Sequence, residues 1–281
     1  MRIRVVDLFL LFLMCAIWAG NYFVVDGILP YIDPITLSFL RAGLGGLFVL
    51  AIGGYSMRGL GRSDLGWCVL FAVFNTALFL ILLNASLLTA NAGVDSTLVY
   101  TQPIMVVAFA PLLGERLTYR RVVGMLAAFA GVAVVFLPSL LGASVVVGDV
   151  YAIGAAFSWA LAVLVFKKWD SKADARAIMS AQSLIGAALI IPAFAFQKPF
   201  IDPTLPFWVF LLYSVVLASG LTYVFFLRML SKMPATQFTS YLFLVPVLAT
   251  IMASLLQLSI PPTNEILGTA LVALGIVIVN R

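Results

Sequence analysis

Residues 97–121 read TLVYTQPIMVVAFAPLLGERLTYRR. An apolar run long enough to cross a bilayer carries Gln102-Pro103 near its middle and stops at Gly114-Glu115-Arg116, beside further arginines. In hydrocarbon, an amide has to find a hydrogen-bond partner, and a proline frees the carbonyl four residues back, here that of Val99. The placement is not an isolated accident. At an offset of 143 residues, Pro246 stands where Pro103 stands and Phe243 stands where Tyr100 stands.

The echo extends over the whole chain. Asp7 pairs with Asp149, Trp18 with Trp159, Trp67 with Trp208, and Gly124 and Gly131 with Gly268 and Gly275, all at offsets between 141 and 144. Matches that keep their order while the offset drifts slowly are the mark of a duplication with small loop insertions. The repeats are expected over residues 1–139 and 148–281.

Composition says what the repeats are made of. The 281 residues are 64% hydrophobic and 10% charged, with a mean hydropathy of +1.16. A chain of that composition is expected to sit in lipid as an all-α integral membrane protein. It contains no histidine, which excludes Ser-His-Asp hydrolases, HExxH metalloproteases and histidine proton relays. Cys15 and Cys68 sit in apolar runs without CxxC spacing, so neither a metal site nor a disulfide is expected. No cofactor is called for. The net charge of +5 is scattered between apolar runs, which argues against a nucleic-acid partner.

Windows of about 20 residues, the length needed to cross about 30 Å of hydrocarbon, give ten candidate spans. Their limits are 5–25, 34–54, 65–84, 92–113, 120–138, 149–167, 175–196, 206–227, 235–257 and 264–280. The first resembles a signal peptide but lacks a cleavage site and holds Trp18 and Asn21, so it is kept as a span. With the N-terminus inside, fourteen basic residues fall on the cytoplasmic side and only Lys198 outside. Arg2, Arg4, Arg58 and Arg281 are among the fourteen. Both termini are therefore expected in the cytoplasm. Because five spans per copy is an odd number, the two copies cross in opposite directions. Inverted repeats place a cavity near the midplane where the halves meet, which is the architecture of alternating-access transport.

Several motifs resemble a known family. Trp18-Ala-Gly-Asn21 in the first span, Phe39-Leu-Arg41 in the second, and Pro103 followed by Gly114-Glu115-Arg116-Leu117-Thr118 resemble the EamA-type exporters of the drug/metabolite transporter superfamily over essentially the whole chain. Within it the chain is most similar to bacterial aromatic amino-acid exporters of the YddG type. The resemblance implies ten helices in two inverted halves, a bacterial inner-membrane location and export of small metabolites. Relatives handle threonine or homoserine, cysteine-pathway compounds, nucleobases and drugs, and these remain alternative substrates. Proton coupling is an alternative mode.

Polar and aromatic residues at membrane depth supply the candidate site. Asn21, Asn75 and Gln102 offer donors and acceptors without fixed charge, suited to a zwitterion that must be released again. Trp18, Tyr22, Phe74, Phe79, Tyr100, Trp159, Tyr213, Tyr223, Tyr241 and Phe243 offer aromatic faces. The cavity is expected among spans three, four, eight and nine, with one and six. Pro103 and Pro246 are candidate hinges. Arg41, the only basic residue set deep inside a span, reads either as a contact for a substrate carboxylate or, the favoured reading, as a brace that snorkels outward or pairs with backbone carbonyls or Asp95. Glu115 reads as an interfacial ion pair with Arg116, Arg120 or Arg121, and Leu258 stands at its repeat position. With no acid clearly at the midplane, facilitated or weakly coupled export is expected. The glycines of spans five and ten read as scaffold or dimer contacts. The sequence leaves the oligomeric state open. A membrane enzyme lacks a nucleophile with a base, and a channel lacks a ring of charges.

Overall fold

A computed structural model describes residues 5–53, 59–89, 92–142, 145–169, 171–256 and 262–280. Arg2, Arg4, Arg58, Leu258 and Arg281 lie outside the described residues. Apart from a single Ile32–Ile201 bridge, the regular structure is helical. In chain order the helices are α1 (Val5–Ile28), α2 (Pro34–Ile52), α3 (Leu65–Ala72), α4 (Phe79–Ser86), α5 (Ala92–Val99), α6 (Gln102–Phe109), α7 (Tyr119–Val135) and α8 (Leu137–Leu141). There follow α9 (Val147–Lys168), α10 (Ala175–Ile190), α11 (Leu205–Leu212), α12 (Thr222–Lys232), α13 (Ala235–Tyr241), α14 (Leu244–Leu256) and α15 (Thr263–Asn280). Joined where they run on without a loop, they give, among the described residues, eight helices long and apolar enough to cross a membrane. The shorter Thr97–Leu113 segment and the 17-residue α7 lie between the third and fourth of these.

Local chemistry starts the helices where the sequence supplies caps. Asp33 accepts from Thr36 N at 2.9 Å ahead of Pro34, Thr118 from Arg121 N at 3.3 Å, and Asp174 from Arg176 N at 2.8 Å. The Arg176 side chain bonds Asp174 as well, and together these contacts hold the Asp174 carboxyl below its ordinary range.

Two kinds of interruption recur in both halves. A π-helical stretch runs over Val73–Leu78 between α3 and α4, and another over Tyr213–Leu221 between α11 and α12. The wider turn loosens the backbone ladder, and side chains from elsewhere use the carbonyls it presents. Trp18 Nε1 donates to Ala218 O at 3.2 Å, and Ser158 Oγ to Phe74 O at 2.7 Å. The first helix of each half thus anchors on the π segment of the other. The second interruption separates α5 from α6 at Tyr100-Thr101 and α13 from α14 at Leu242-Phe243. Pro103 follows the first break and Pro246 the second, as the quoted stretch anticipated.

Between hydrocarbon-embedded helices, association depends on close packing because lipid is as apolar as the helices themselves. The α7–α15 pair shows how close. A methyl on Gly131 would lie 2.7 Å from Gly268 O and 2.6 Å from Val272 N, and one on Gly124 2.8 Å from Gly275 O. The four glycines face each other within one chain, as a scaffold contact.

The bundle has two distinguishable ends. At one, Lys232 bonds Asp7 at 2.5 Å, Lys167 bonds Met233 O at 2.6 Å and Trp169 Nε1 bonds Asp64 at 2.8 Å. Most of the described arginines and lysines cluster there, so it is the basic end. At the far end Phe200 N donates to Asp33 at 2.7 Å and Asp202 N to Tyr31 O at 2.7 Å.

Candidate functional site

A small cavity, with about 60 Å³ of space open to a water-sized molecule, lies inside the bundle. Its wall is built from α1 (Trp18, Asn21, Tyr22, Val25), α2 (Arg41), α4 and the turn after it (Phe79, Leu83, Leu87), and the α5–α6 break (Val99, Tyr100, Gln102). Trp159 of α9 and Tyr223 of α12 complete it. Val25 and Leu87 lie within a turn of the far end of their helices, so the cavity runs from mid-bundle towards that end.

The floor is aromatic. Phe226, fully buried, has its ring 5.4 Å from that of Trp159, 5.9 Å from Tyr223, 6.3 Å from Trp18 and 5.4 Å from Phe238. Tilted and edge-to-face pairs at these spacings are each worth about 0.5–1.5 kcal/mol beyond burial. Below this layer Met14 and Cys15 are fully buried.

Eight of the thirteen candidate contact residues line this one cavity: Trp18, Asn21, Tyr22, Phe79, Tyr100, Gln102, Trp159 and Tyr223. The other five are placed elsewhere. Asn75 and Thr76 bond Gln182 of α10 at 3.4 and 2.5 Å, a helix-to-helix clamp. Phe74 lends its carbonyl to Ser158, and Tyr213 donates to Ile17 O at 2.8 Å. The Tyr241 carbonyl lies 3.6 Å from the Cys15 thiol, and Phe243 is fully buried in the main core. The wall thus draws on spans one to four, six and eight, and span nine supplies none of it. Val25, Leu83, Leu87 and Val99 were not anticipated, since nothing in an apolar run marks an aliphatic residue that faces a cavity from one that faces lipid.

Two charged residues have different partners from those expected. Arg41, 3% exposed, donates from Nε to Ser219 Oγ and from Nη1 to Asn84 Oδ1, both at 3.1 Å, and makes no ion pair with Asp95. Glu115 accepts from Ala235 N at 2.5 Å, Thr236 N at 3.2 Å and Thr236 Oγ1 at 2.8 Å. It caps the first turn of α13, using the exposed N–H groups that any helix start leaves unpaired, where an arginine pair had been expected. Gly114, at φ +72°, makes the left-handed turn that delivers it.

An apolar helical bundle around a cavity lined by aromatic rings and a few polar groups is the construction of a membrane transporter. The EamA-like transporter family matches residues 6–137 and again 146–281, and the chain belongs to that family. It is a multi-pass protein of the inner membrane, a transporter and not an enzyme. It is similar to the uncharacterized transporter YvbV of Bacillus subtilis, 31% identical over 277 residues that cover 96% of this chain and 90% of the relative. An uncharacterized transporter of Archaeoglobus fulgidus is 28% identical over 253 residues, covering 87% and 86%. A solved crystal structure superposes with a TM-score of 0.81 at 19% identity over 98% of this chain and 96% of the other, which speaks for the fold alone.

Proposed function

We propose that the protein exports small metabolites by alternating access, amino acids above all and aromatic ones by preference, facilitated or only weakly coupled. The observation that carries the reading is the cavity itself, whose floor and walls are Trp18, Trp159, Tyr100 and Tyr223 with the amides of Asn21 and Gln102 between them. Rings bind rings through offset and edge contacts, while uncharged amides hold a zwitterion loosely enough to let it go. The proposed frame is ten spans in two inverted five-helix repeats, 1–139 and 148–281, in which Ala92–Leu113 and Tyr119–Val135 act as the fourth and fifth spans. The two stretches matched by the family support it, as do the paired π segments and paired breaks. The cluster of lysines and arginines at one end supports placing that end, with both termini, in the cytoplasm. The cavity then faces outwards and the cytoplasmic gate is shut. Pro103 and Pro246, each beside a helix break, are proposed as hinges.

Proteoliposomes preloaded with unlabelled substrate test this. Counterflow of labelled phenylalanine and tryptophan is expected to saturate and to exceed that of threonine and methionine. Equal rates for all four would refute the aromatic preference, and flux that does not saturate would point to a channel. A proton-coupled reading has one observation in its favour: Asp95 is fully buried, and among the described residues none lies within hydrogen-bond distance of its oxygens in good geometry. Flux that collapses with the proton gradient, the substrate gradient held fixed, would establish it.

A further inference from the structure

Arg41 is held rigidly yet incompletely. Ser219 of the second half and Asn84 of the first each take one of its N–H groups, and Asn84 is itself fixed by donating to Ser38 Oγ at 2.8 Å. A guanidinium has five donors in a planar fork, so three are left without a protein acceptor among the described residues. Arg41 lines the cavity. An arginine that is 3% exposed and bonds only Ser219 and Asn84 among the described residues is costly unless something else brings a negative charge.

The same cavity holds the opposite polarity. Asn21 Oδ1 and Gln102 Oε1 are buried acceptors with no hydrogen-bond partner among the described residues, and these two residues are 8% and 5% exposed. Buried polar atoms are nearly always satisfied, so two orphans lining one cavity point to a ligand that donates.

We propose that Arg41 is the substrate-binding residue for a carboxylate, with the amide oxygens of Asn21 and Gln102 accepting from the ammonium of the same molecule, so that the site recognises an α-amino acid by both poles of its zwitterion. This rests on reading the cavity as the transport site. Of the two readings the sequence leaves for Arg41, it takes the substrate contact over the brace and makes the carboxylate a requirement. The planar fork matches a carboxylate's two oxygens, whereas a lysine would supply only a point charge. Because the fork is already oriented by two side chains, little ordering remains to be done when the substrate arrives.

The test compares phenylalanine, 3-phenylpropionate and phenethylamine as inhibitors of phenylalanine counterflow by the wild-type protein. Phenylalanine is expected to inhibit best. Phenethylamine, lacking the carboxylate, is expected to be weaker by about 10- to 100-fold, as suits lost hydrogen bonds to a charged group. Equal inhibition by phenethylamine would overturn the role of Arg41 while leaving the aromatic cavity standing. Arg41→Gln and Arg41→Lys, each checked for an unchanged melting temperature, are expected to weaken phenylalanine and phenylpropionate and to leave phenethylamine where it was. A uniform loss on all three would mark Arg41 as a brace and overturn the proposal. If no phenyl compound inhibits but Arg41-dependent counterflow of threonine remains, the aromatic preference falls and the carboxylate contact stands.

Discussion

Glu115→Ala should unlatch the basic end. In the structure its carboxylate holds the first turn of α13 through two backbone N–H groups and the Thr236 hydroxyl, at 2.5, 3.2 and 2.8 Å. Losing a helix cap costs about 0.5–2 kcal/mol, and a hydrogen bond to a charged group is worth about 1.5–3 kcal/mol where it is dry. Glu115 is only half-buried, so water replaces part of what is lost, and a net of about 1–3 kcal/mol is reasonable. If those contacts exist only while the basic end is closed, the closed-to-open ratio falls about 5- to 150-fold. Cys15 reports that ratio. It is fully buried, one turn on the basic side of Trp18, with its thiol against the Tyr241 carbonyl at the end of the helix that Glu115 caps. In a Cys68→Ser background it is the sole thiol. Its labelling by a water-soluble maleimide from the basic side should accelerate by the same factor. Unchanged labelling with a lowered melting temperature would show that Glu115 only caps a helix and has no part in gating.

Gly131→Ala should destabilise the α7–α15 contact, because the added methyl meets Gly268 O and Val272 N, backbone atoms that cannot step aside. Overpacking of this kind costs about 1–3 kcal/mol, to be seen as a lower melting temperature in detergent, and an unchanged melt would contradict the intrachain contact. Asp95→Asn should keep counterflow and leave the melt level or higher, since burying an amide costs less than burying an unpartnered carboxylate. Loss of transport on that substitution, with the fold intact, would overturn the uncoupled reading.

How much of this was legible in the sequence follows from periodicity. Apolar runs and the basic residues between them mark the helices, and the helix breaks at Tyr100-Thr101 and Leu242-Phe243 were visible beforehand as two prolines in equivalent places. Which face of a helix looks inward was harder to read, because lipid and core are both apolar and leave little amphipathic contrast. The π segments make this worse. A wider turn shifts the angular register, so Phe79 faces the cavity while Asn75, four residues earlier, is clamped to Gln182 on α10. Tyr213 starts the other π segment and is drawn off to Ile17 O. One partner of Arg41, Ser219, and the partners of Glu115 lie 178 and 120 or 121 residues away in the other half, and no local pattern encodes such a pairing.

The central claim is that substrate binds against the aromatic floor of this cavity, and two tryptophans in one chain test it directly. Trp159 is 1% exposed and lines the cavity, whereas Trp208 is 56% exposed on the outer surface. Saturation of phenylalanine counterflow should be measured side by side for Trp159→Phe and Trp208→Phe. A raised half-saturation concentration for Trp159→Phe alone is the predicted result, and equal shifts for the two, or none for Trp159→Phe, would contradict the account.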